Sequence, residues 1–342
     1  MKCVVWDLDG TLWAATAIEL EGTGHSLPGL DPLALDAVIA VRKAGVVNAL
    51  ATRNPPSLAD RLQAESWSCE FAHITASWTG KPATVGQISA DLDIPSEEMA
   101  YVDNNAFERA AVAHALPAVS TMSVAQVRAW LDALDGACAV TTQEAASRTQ
   151  MYRTQAVRRA AAEAWTGSHD AFLRTCEIVL AVSAARRRDL DRVDELVRRT
   201  NRYNSTGQRL DRDELQKWID GPSHALLTGS LTDRFGEHGM VCVALVNARE
   251  SWIVELIAIS CRVAGRGCLP GFLAIVARMA ASAGCSRVEI PLVPTERNAP
   301  MRVALRAIAD VARPEADDRV VFELDAARAS HRMPDWLTVQ TA

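Results

Sequence analysis

Two acidic residues, Asp7 and Asp9, stand directly behind a short apolar run, Cys3-Val4-Val5-Trp6, in the series Asp7-Leu8-Asp9-Gly10-Thr11. A carboxylate at a strand end can attack phosphorus to give an aspartyl-phosphate. A second acid two residues on projects from the same side of the strand and can carry the proton. Gly10 lets the backbone turn away, so that both side chains face open space. Acid pairs also occur in solvated turns, so the order of the other reactive residues decides the reading.

Val46–Ala51 is a second apolar run, ending at Thr52, whose hydroxyl suits a phosphate oxygen, and Arg53 and Asn54 follow it. Lys81, in Trp78-Thr79-Gly80-Lys81-Pro82, precedes a helical stretch, where a fixed cation would offset the charge of nucleophile and phosphate. Met99–Val102 is a third apolar run, ending at Asp103, placed to complete a magnesium site of oxygen ligands.

Acid pair, threonine, lysine and acid, each behind or beside an expected strand, form the motif series of the haloacid dehalogenase (HAD) superfamily, which residues 1–138 resemble. The resemblance implies that Asp7 is the nucleophile and Asp9 the general acid/base. It implies a Mg2+ ion on the Asp7 carboxylate, the Asp9 backbone carbonyl and Asp103, with Asn104 at the position beside it. Thr52, Arg53, Asn54 and Lys81 would hold phosphate. Relatives commonly carry a second acid after the last one, whereas here Asn104 and Asn105 follow Asp103, with Glu108 five positions on. Asparagine can ligate or orient a water, but it removes one negative charge.

The elements that must position these residues can be read around them. Residues 1–136 alternate short β-rich runs with helical periodicity, Val85, Ile88 and Leu92 after Lys81, then Phe107 to Ala115 after Asp103. Such alternation implies a doubly wound parallel sheet with the site at the carboxyl ends of its strands. The stretch between Thr11 and Leu33 is too short for a large cap, so the site is expected to admit a bulky partner. From Thr142 to Trp165 the chain reads as a connecting helix or equally as a helix of the second domain's core, with an expected division into residues 1–138, a helical linker 139–170, and a second domain 171–330.

In that second domain Cys176–Val182 reads as a strand, and Leu190, Val193, Leu196 and Val197 mark an amphipathic helix. The Arg186-Arg187-Arg188 run reads as a solvated helix face, with Asp189, Asp191 and Asp194 at helical spacing. His224–Leu231, Met240–Val246 and Trp252–Ser260 suggest an antiparallel meander. The third run leads into Arg262-Val263-Ala264-Gly265-Arg266-Gly267, a helix from Phe272 to Ala283, and a strand at Arg287–Leu292.

A glycine-rich turn that opens a helix can hold a pyrophosphate, because backbone N–H groups and the helix N-terminus attract the anion. In this setting the turn looks like the acyl-CoA loop of the GCN5-related N-acetyltransferase (GNAT) fold, an α+β domain. Arg262, Gly265, Arg266 and Gly267 could equally hold the phosphopantetheine arm of an acyl carrier protein. Cys261 stands at the strand end beside the turn, where N–H dipoles and Arg262 would lower its pKa and favour a nucleophilic thiolate. The other reading makes Cys261 a small core residue, with the carrier's own thiol attacking directly. Asn201, Asn204 and Arg234 are candidates for recognising substrate hydroxyls and phosphate, although Asn-rich turns also cap helices. His238, in a turn after Phe235-Gly236, reads as a surface histidine or a base, and Glu255 as a buried acid or an outward-facing one.

Several peptides resemble the FkbH-like family more closely than either superfamily: Thr200-Asn201-Arg202-Tyr203-Asn204-Ser205-Thr206, Asp233-Arg234-Phe235-Gly236-Glu237-His238-Gly239, Ser260-Cys261-Arg262-Val263 with Gly265-Arg266-Gly267, and Pro294-Thr295-Glu296-Arg297-Asn298. So does Trp6-Asp7-Leu8-Asp9-Gly10-Thr11-Leu12-Trp13, although relatives usually have Asn at the Gly10 position. The resemblance spans roughly residues 2–310 and implies glyceryl transfer in polyketide biosynthesis. A three-carbon unit from 1,3-bisphosphoglycerate would be loaded onto an acyl carrier protein with loss of phosphate. Two other classes stay open: a small-molecule phosphatase with a binding module, and an acyltransferase whose first domain is an inactive scaffold.

Composition agrees with a soluble enzyme of two domains. The chain has 342 residues, 49% hydrophobic and 23% charged, and a formal net charge of −6, which leaves no dominant basic face for a nucleic acid. Eight cysteines, at 3, 69, 138, 176, 242, 261, 268 and 285, form no C-x-x-C pair and signal neither a zinc site nor a disulfide framework. With the acid pair where a signal-peptide core would lie and no apolar run near the length of a membrane span, the expected place is the reducing cytoplasm.

Overall fold

The computed structural model describes residues 1–14, 27–135, 147–221, 223–248, 252–328 and 332–341. The chain divides into two compact units, Met1–Arg159 and Ala160–Ala342. Cys138, the start of the expected connecting helix and much of the segment between Thr11 and Leu33 lie outside the described residues.

The first unit is built on five parallel strands, β1 (Cys3–Trp6), β2 (Val47–Thr52), β3 (Phe71–Ala76), β4 (Met99–Val102) and β5 (Ser120–Met122). They lie in the order β3-β2-β1-β4-β5, with β1 between β2 and β4. All four residues of β1 and all six of β2 are buried, as expected for a parallel sheet covered on both faces. Strand alternation sorts them: Val4, Trp6 and Leu50 pack on one side, Cys3, Val5, Ala49, Met99 and Tyr101 on the other. Asn48 is the polar exception; its amide accepts from Trp6 Nε1 at 2.8 Å and donates to the Val38 carbonyl at 2.9 Å, so no polar atom is stranded there.

The helices cross over between strands. Val85, Ile88 and Leu92 of the helix Lys81–Leu92 are buried, as their spacing predicts, and the helix after Asp103 runs Ala106–Ala115 with Asn105 as its cap. The helix Arg148–Glu163 lies across the division of the chain. Its Arg153 donates through Nε to the Phe71 carbonyl at 2.9 Å.

The second unit carries an eight-stranded mixed sheet of β6 (Ile178–Ala184), β7 (His224–Asp233), β8 (Gly236–Ala248), β9 (Trp252–Ile259), β10 (Arg287–Leu292), β11 (Val311–Pro314), β12 (Val320–Asp325) and β13 (Leu337–Thr341). Their order is β11-β12-β10-β9-β8-β7-β6-β13. β7, β8 and β9 form the predicted antiparallel meander. The helix Cys268–Ser282 packs on one face of the sheet, and the helices Leu190–Arg199 and Arg212–Asp220 on the other.

Three readings need correction. β6 begins at Ile178, two residues late, because Cys176 closes the helix His169–Thr175 and Glu177 takes a left-handed φ of 54°. Arg187 and Arg188 sit in a single turn before the helix Leu190–Arg199, held by the Asp189 carboxylate on the Arg186 N–H at 2.8 Å, and not on the helix face. The Phe272 helix starts four residues early, at Cys268, straight out of the glycine-rich turn.

β9 and β10 are parallel but share only two register pairs, Trp252 with Val288 and Ile253 with Glu289. Beyond these the strands part, and Tyr203-Asn204-Ser205 fills the gap as a short extra strand. Ile259 N–H donates to Tyr203 O at 2.9 Å, Ser205 N–H to Ile257 O at 3.0 Å, and Val293 N–H to Ser205 O at 2.9 Å.

Candidate functional sites

The first site forms where β1, β2 and β4 end. Asp7 continues the Cys3/Val5 face of β1, and Asp103 continues the Met99/Tyr101 face of the adjacent β4, so alternation brings two carboxylates together. The Thr11 hydroxyl lies between them, 3.1 Å from Asp7 Oδ2 and 3.5 Å from Asp103 Oδ1. Gly10, at φ +70°, makes the turn that returns Thr11 to this position, a conformation that favours glycine. Lys81 opens its helix with its ammonium buried, bonded to Asp7 Oδ1 and, at 2.5 Å, to the Ala51 carbonyl at the end of β2.

Burial raises the Asp7 carboxyl to about 6; Lys81 opposes the shift and Asp103 adds to it. Asp103 Oδ2 accepts from the Tyr101 hydroxyl at 2.6 Å, and its Oδ1 from the Asn105 N–H at 2.7 Å. Burial, first, and then the charges of Asp7 and Asp103 push the Tyr101 hydroxyl well above its ordinary range, so the phenol stays a donor.

Asp9 is held at both oxygens. Trp13 Nε1 donates to Oδ1 at 2.7 Å and Asn54 Nδ2 to Oδ2 at 2.8 Å. Asn54 also donates to Thr52 Oγ1 at 2.7 Å, which leaves the Thr52 hydroxyl proton to point elsewhere, as a phosphate donor requires. Arg53 is half exposed and lies 3.7 Å from Glu108. Asn104 commits its amide to the turn, Nδ2 donating to the Gly10 carbonyl at 3.2 Å, while its backbone N–H donates to Thr11 Oγ1 at 3.1 Å.

The donor set fits magnesium. The two facing carboxylates are hard oxygen donors whose mutual repulsion a divalent cation would relieve, and magnesium is commonly bound by one or two carboxylates, with waters and substrate phosphate completing the shell. No cluster of three or more His, Cys, Asp or Glu suited to a metal occurs among the described residues.

Sequence reasoning named Asp7, Lys81, Asp103 and Asn104, which are bonded through Thr11 and Asp7, and Asp9, Asn54 and Thr52, which form a second bonded group. It missed Trp13 and Tyr101. Trp13 follows Asp9 by four residues, and Tyr101 precedes Asp103 by two on the same strand face, which is the signal that would have found it.

The second site surrounds the glycine-rich turn. Cys261 is partly buried and starts a single helical turn, Cys261–Val263, after Ser260 N–H donates to Val241 O at 2.8 Å. Arg262 Nε donates to Ser260 Oγ at 3.3 Å. Gly265 is left-handed at φ +77°; Gly267, at φ +85°, is the N-cap of Cys268–Ser282, and a Cβ there would meet Pro334 at 2.7 Å.

His238 is not at the surface. Only 6% of it is exposed, and its Nε2 lies 3.0 Å from Asp233 Oδ2 and 3.0 Å from Arg266 Nη1. It is the extra residue of a β-bulge in β8, opposite Leu231 and Thr232, and the bulge turns it inward. Glu255 is likewise a bulge residue, on β9, half-buried with its carboxylate 3.5 Å from Asn247 Nδ2.

The candidates for substrate recognition do not converge. Asn201 Oδ1 accepts from Arg209, and the exposed Arg234 stacks its guanidinium 4.7 Å from the Phe235 ring centroid. Asn204 is fully buried; Oδ1 accepts from the Thr206 and Gly207 N–H groups at 3.1 and 2.8 Å, and Nδ2 has no hydrogen-bond partner among the described residues.

No protein-family model and no curated protein matches this chain. Among solved structures, the N-terminal part of the protein BF1531 from Bacteroides fragilis, containing a phosphatase domain complexed with Mg, is similar at 24% identity over 35% of this chain, with a TM-score of 0.31. The match spans about a third of that structure, 35%. The ribosomal-protein-S18-alanine N-acetyltransferase from Escherichia coli is similar at 12% identity over 43% of this chain and 94% of its own, TM-score 0.33. A variant of the spermidine N-acetyltransferase from Vibrio cholerae matches at 15% identity over 45% and 97%, TM-score 0.33. The assignment of a doubly wound parallel sheet and a second mixed sheet rests on the strand orders themselves. No helix among the described residues is long and apolar enough to cross a membrane.

Proposed function

We propose that this protein is a glyceryl transferase and phosphatase that loads a three-carbon unit from 1,3-bisphosphoglycerate, or a related phosphorylated acid, onto the phosphopantetheine arm of an acyl carrier protein. The observation that carries the reading is the buried Asp7–Lys81–Thr11–Asp103 cluster, flanked by an Asp9 with both oxygens held.

In the first unit Asp7 attacks the phosphorus of the 3-phosphate, and Lys81 balances the charge of nucleophile and phosphate. Asp9, oriented by Trp13 and Asn54, protonates the leaving alkoxide and then takes a proton from the water that releases phosphate. Asp7 and Asp103 would hold Mg2+, which supplies charge stabilisation at the phosphoryl oxygens.

The acyl phosphate is already activated, so a thiol can displace phosphate at the acyl carbon without a further energy source. The second unit would do this at the Cys261–Gly267 turn, where Arg262, Gly265, Arg266 and Gly267 lie before an uncapped helix N-terminus that attracts anions. The peptides shared with FkbH-like proteins support the substrate and the carrier.

The test is the intact mass of a holo carrier protein incubated with enzyme, magnesium and 1,3-bisphosphoglycerate. A carrier that gains a glyceryl unit without phosphate is the expected product. Hydrolysis of generic phosphate esters with no loading of any carrier would replace this reading with a plain phosphatase.

A further inference from the structure

Arg53 sits between two residues of the group that holds Asp9. Asn54 Nδ2 donates to Thr52 Oγ1 at 2.7 Å and to Asp9 Oδ2 at 2.8 Å, so both neighbours of Arg53 are fixed at the end of β2. The guanidinium reaches away from β2, and its Nη1 lies 3.7 Å from Glu108 Oε1. Glu108 is in the first turn of the helix Ala106–Ala115, and that turn is tied to the end of β4 by Arg109 Nη1, which donates to the Asp103 carbonyl at 2.6 Å.

The strand order decides what this pair crosses. β1 lies between β2 and β4, so an ion pair from the end of β2 to the helix after β4 passes over the end of β1. It does so on the side to which Asp7 points: one turn after Glu108, Val112 packs with Val5 and Tyr101, whose face Asp7 and Asp103 continue. The pairing of Val5 with Ala49 puts Ala51 level with Asp7, and Lys81 bonds both. Arg53 stands two residues further along, about 7 Å toward the open end of the sheet. An attacked phosphorus sits roughly 3–3.5 Å from its nucleophile, with the leaving oxygen beyond it. The rest of the leaving group therefore lies at the level of Arg53, beside the Asp9 that protonates it.

We infer that Arg53 and Glu108 set the substrate preference of the first unit, Arg53 leaving Glu108 for a second anionic group on the leaving portion of the phosphate ester; this rests on the phosphatase reading given under Proposed function. The existing pair is loose enough for that exchange. At 3.7 Å it is longer than a hydrogen bond, and the Arg53 side chain is 56% exposed, so Glu108 holds the guanidinium by screened charge alone. A carboxylate or phosphate on the substrate can take two hydrogen bonds from the guanidinium fork, which is the stronger contact. The substrate class is a phosphate monoester of a small acid that carries a carboxylate or acyl phosphate a few bonds from the ester oxygen. A neutral leaving portion gives Arg53 nothing to exchange for Glu108. Arg53 thus serves the leaving group, not the phosphoryl group in transfer.

The test follows phosphate release by the full chain, with magnesium, from 3-phosphoglycerate and from its methyl ester. The two compounds share the phosphate ester and differ by one negative charge. Wild type should favour the free acid in kcat/KM by roughly 10–100-fold, the worth of hydrogen bonds to a charged group. Arg53→Gln should lower that ratio by about the same factor. Glu108→Gln removes the competing carboxylate and should raise the ratio, by up to about 5-fold, as expected for an exposed pair. The melting temperature of each variant checks its fold.

Equal loss on both compounds in Arg53→Gln places the guanidinium on the transferred phosphoryl group and overturns the inference. So does a wild type that does not distinguish the two, or a ratio in Glu108→Gln at or below that of wild type. Activity on p-nitrophenyl phosphate with none on the free acid likewise overturns it, while leaving the phosphatase reading in place. A wild type that hydrolyses none of the three compounds overturns the phosphatase reading itself.

Discussion

The Tyr101 hydroxyl donates to Asp103 Oδ2 at 2.6 Å, so one lone pair of the expected metal ligand is held by the strand that carries it. Both groups are buried, and a hydrogen bond to a charged acceptor is worth about 1.5–3 kcal/mol. Partners that orient a metal ligand typically govern affinity by about 10–100-fold. Tyr101→Phe keeps the ring packing and removes that bond. Its magnesium requirement for phosphate-ester hydrolysis should move up by about 10-fold, with a smaller change in rate at saturating metal. An unaltered magnesium titration would detach Tyr101 from the metal site.

Asp7→Asn is nearly isosteric and removes the nucleophile. Hydrolysis of phosphate esters should fall by on the order of 10³-fold or more. Lys81 then loses its buried counter-charge, so thermal stability should drop as well, because an uncompensated buried cation is costly. Near-normal hydrolysis by Asp7→Asn would remove Asp7 from the mechanism.

Asn104 donates to the Gly10 carbonyl, a bond a carboxylate cannot make. In Asn104→Asp the new charge would face that carbonyl unless it turned toward the cation. The metal-free variant should therefore be less stable by about 1 kcal/mol, and magnesium should raise its melting temperature more than that of wild type. Equal magnesium-induced shifts in the two proteins would place residue 104 outside the reach of the ion.

The placement of Asp7 and Asp103 was legible because strand periodicity and a parallel register are local and strict. Cys3–Trp6, Met99–Val102 and Arg287–Leu292 are strands with the bounds that their apolar runs predict. His238 was misread for a non-local reason. Its neighbours Gly236 and Gly239 suggest an exposed turn, and only the pairing of β8 with β7 creates the bulge that turns the ring onto Asp233. The same holds for Tyr203-Asn204-Ser205, whose strand-like bonds come from Ile257, Ile259 and Val293, up to some ninety residues away. β13 was also unread, since its parallel partner β6 lies far back in the chain.

Asp7 bears on pH as well as on phosphorus. Burial raises its carboxyl to about 6 in the metal-free protein, while magnesium requires the ionised form. Below about pH 6 the ion must displace a proton, so magnesium affinity should fall as pH drops through that value and stay level above it. Calorimetric titration in two buffers of different ionisation enthalpy should report close to one proton released per magnesium near pH 5 and none at pH 8. Proton release that does not vary between these pH values would mean that Asp7 is ionised throughout.

Cys261 decides how the acyl group travels. It is a partly buried thiol at the first position of the helical turn after β9, beside Arg262 and the left-handed Gly265 and Gly267. If the group rests on this sulfur, enzyme incubated with the acyl phosphate alone should gain a covalent acyl adduct, stable in acid and labile to hydroxylamine, as a thioester is. Combining Asp7→Asn with that incubation should leave the adduct heavier by one phosphate, since removal of the 3-phosphate belongs to the first unit. Cys261→Ala should then abolish loading of a holo carrier protein and leave p-nitrophenyl phosphate hydrolysis intact, because the thiol and the Asp7 site belong to different units. Undiminished loading by Cys261→Ala, with no adduct on wild type, would show that the carrier's own thiol attacks the acyl phosphate directly and that Cys261 serves the packing of the turn.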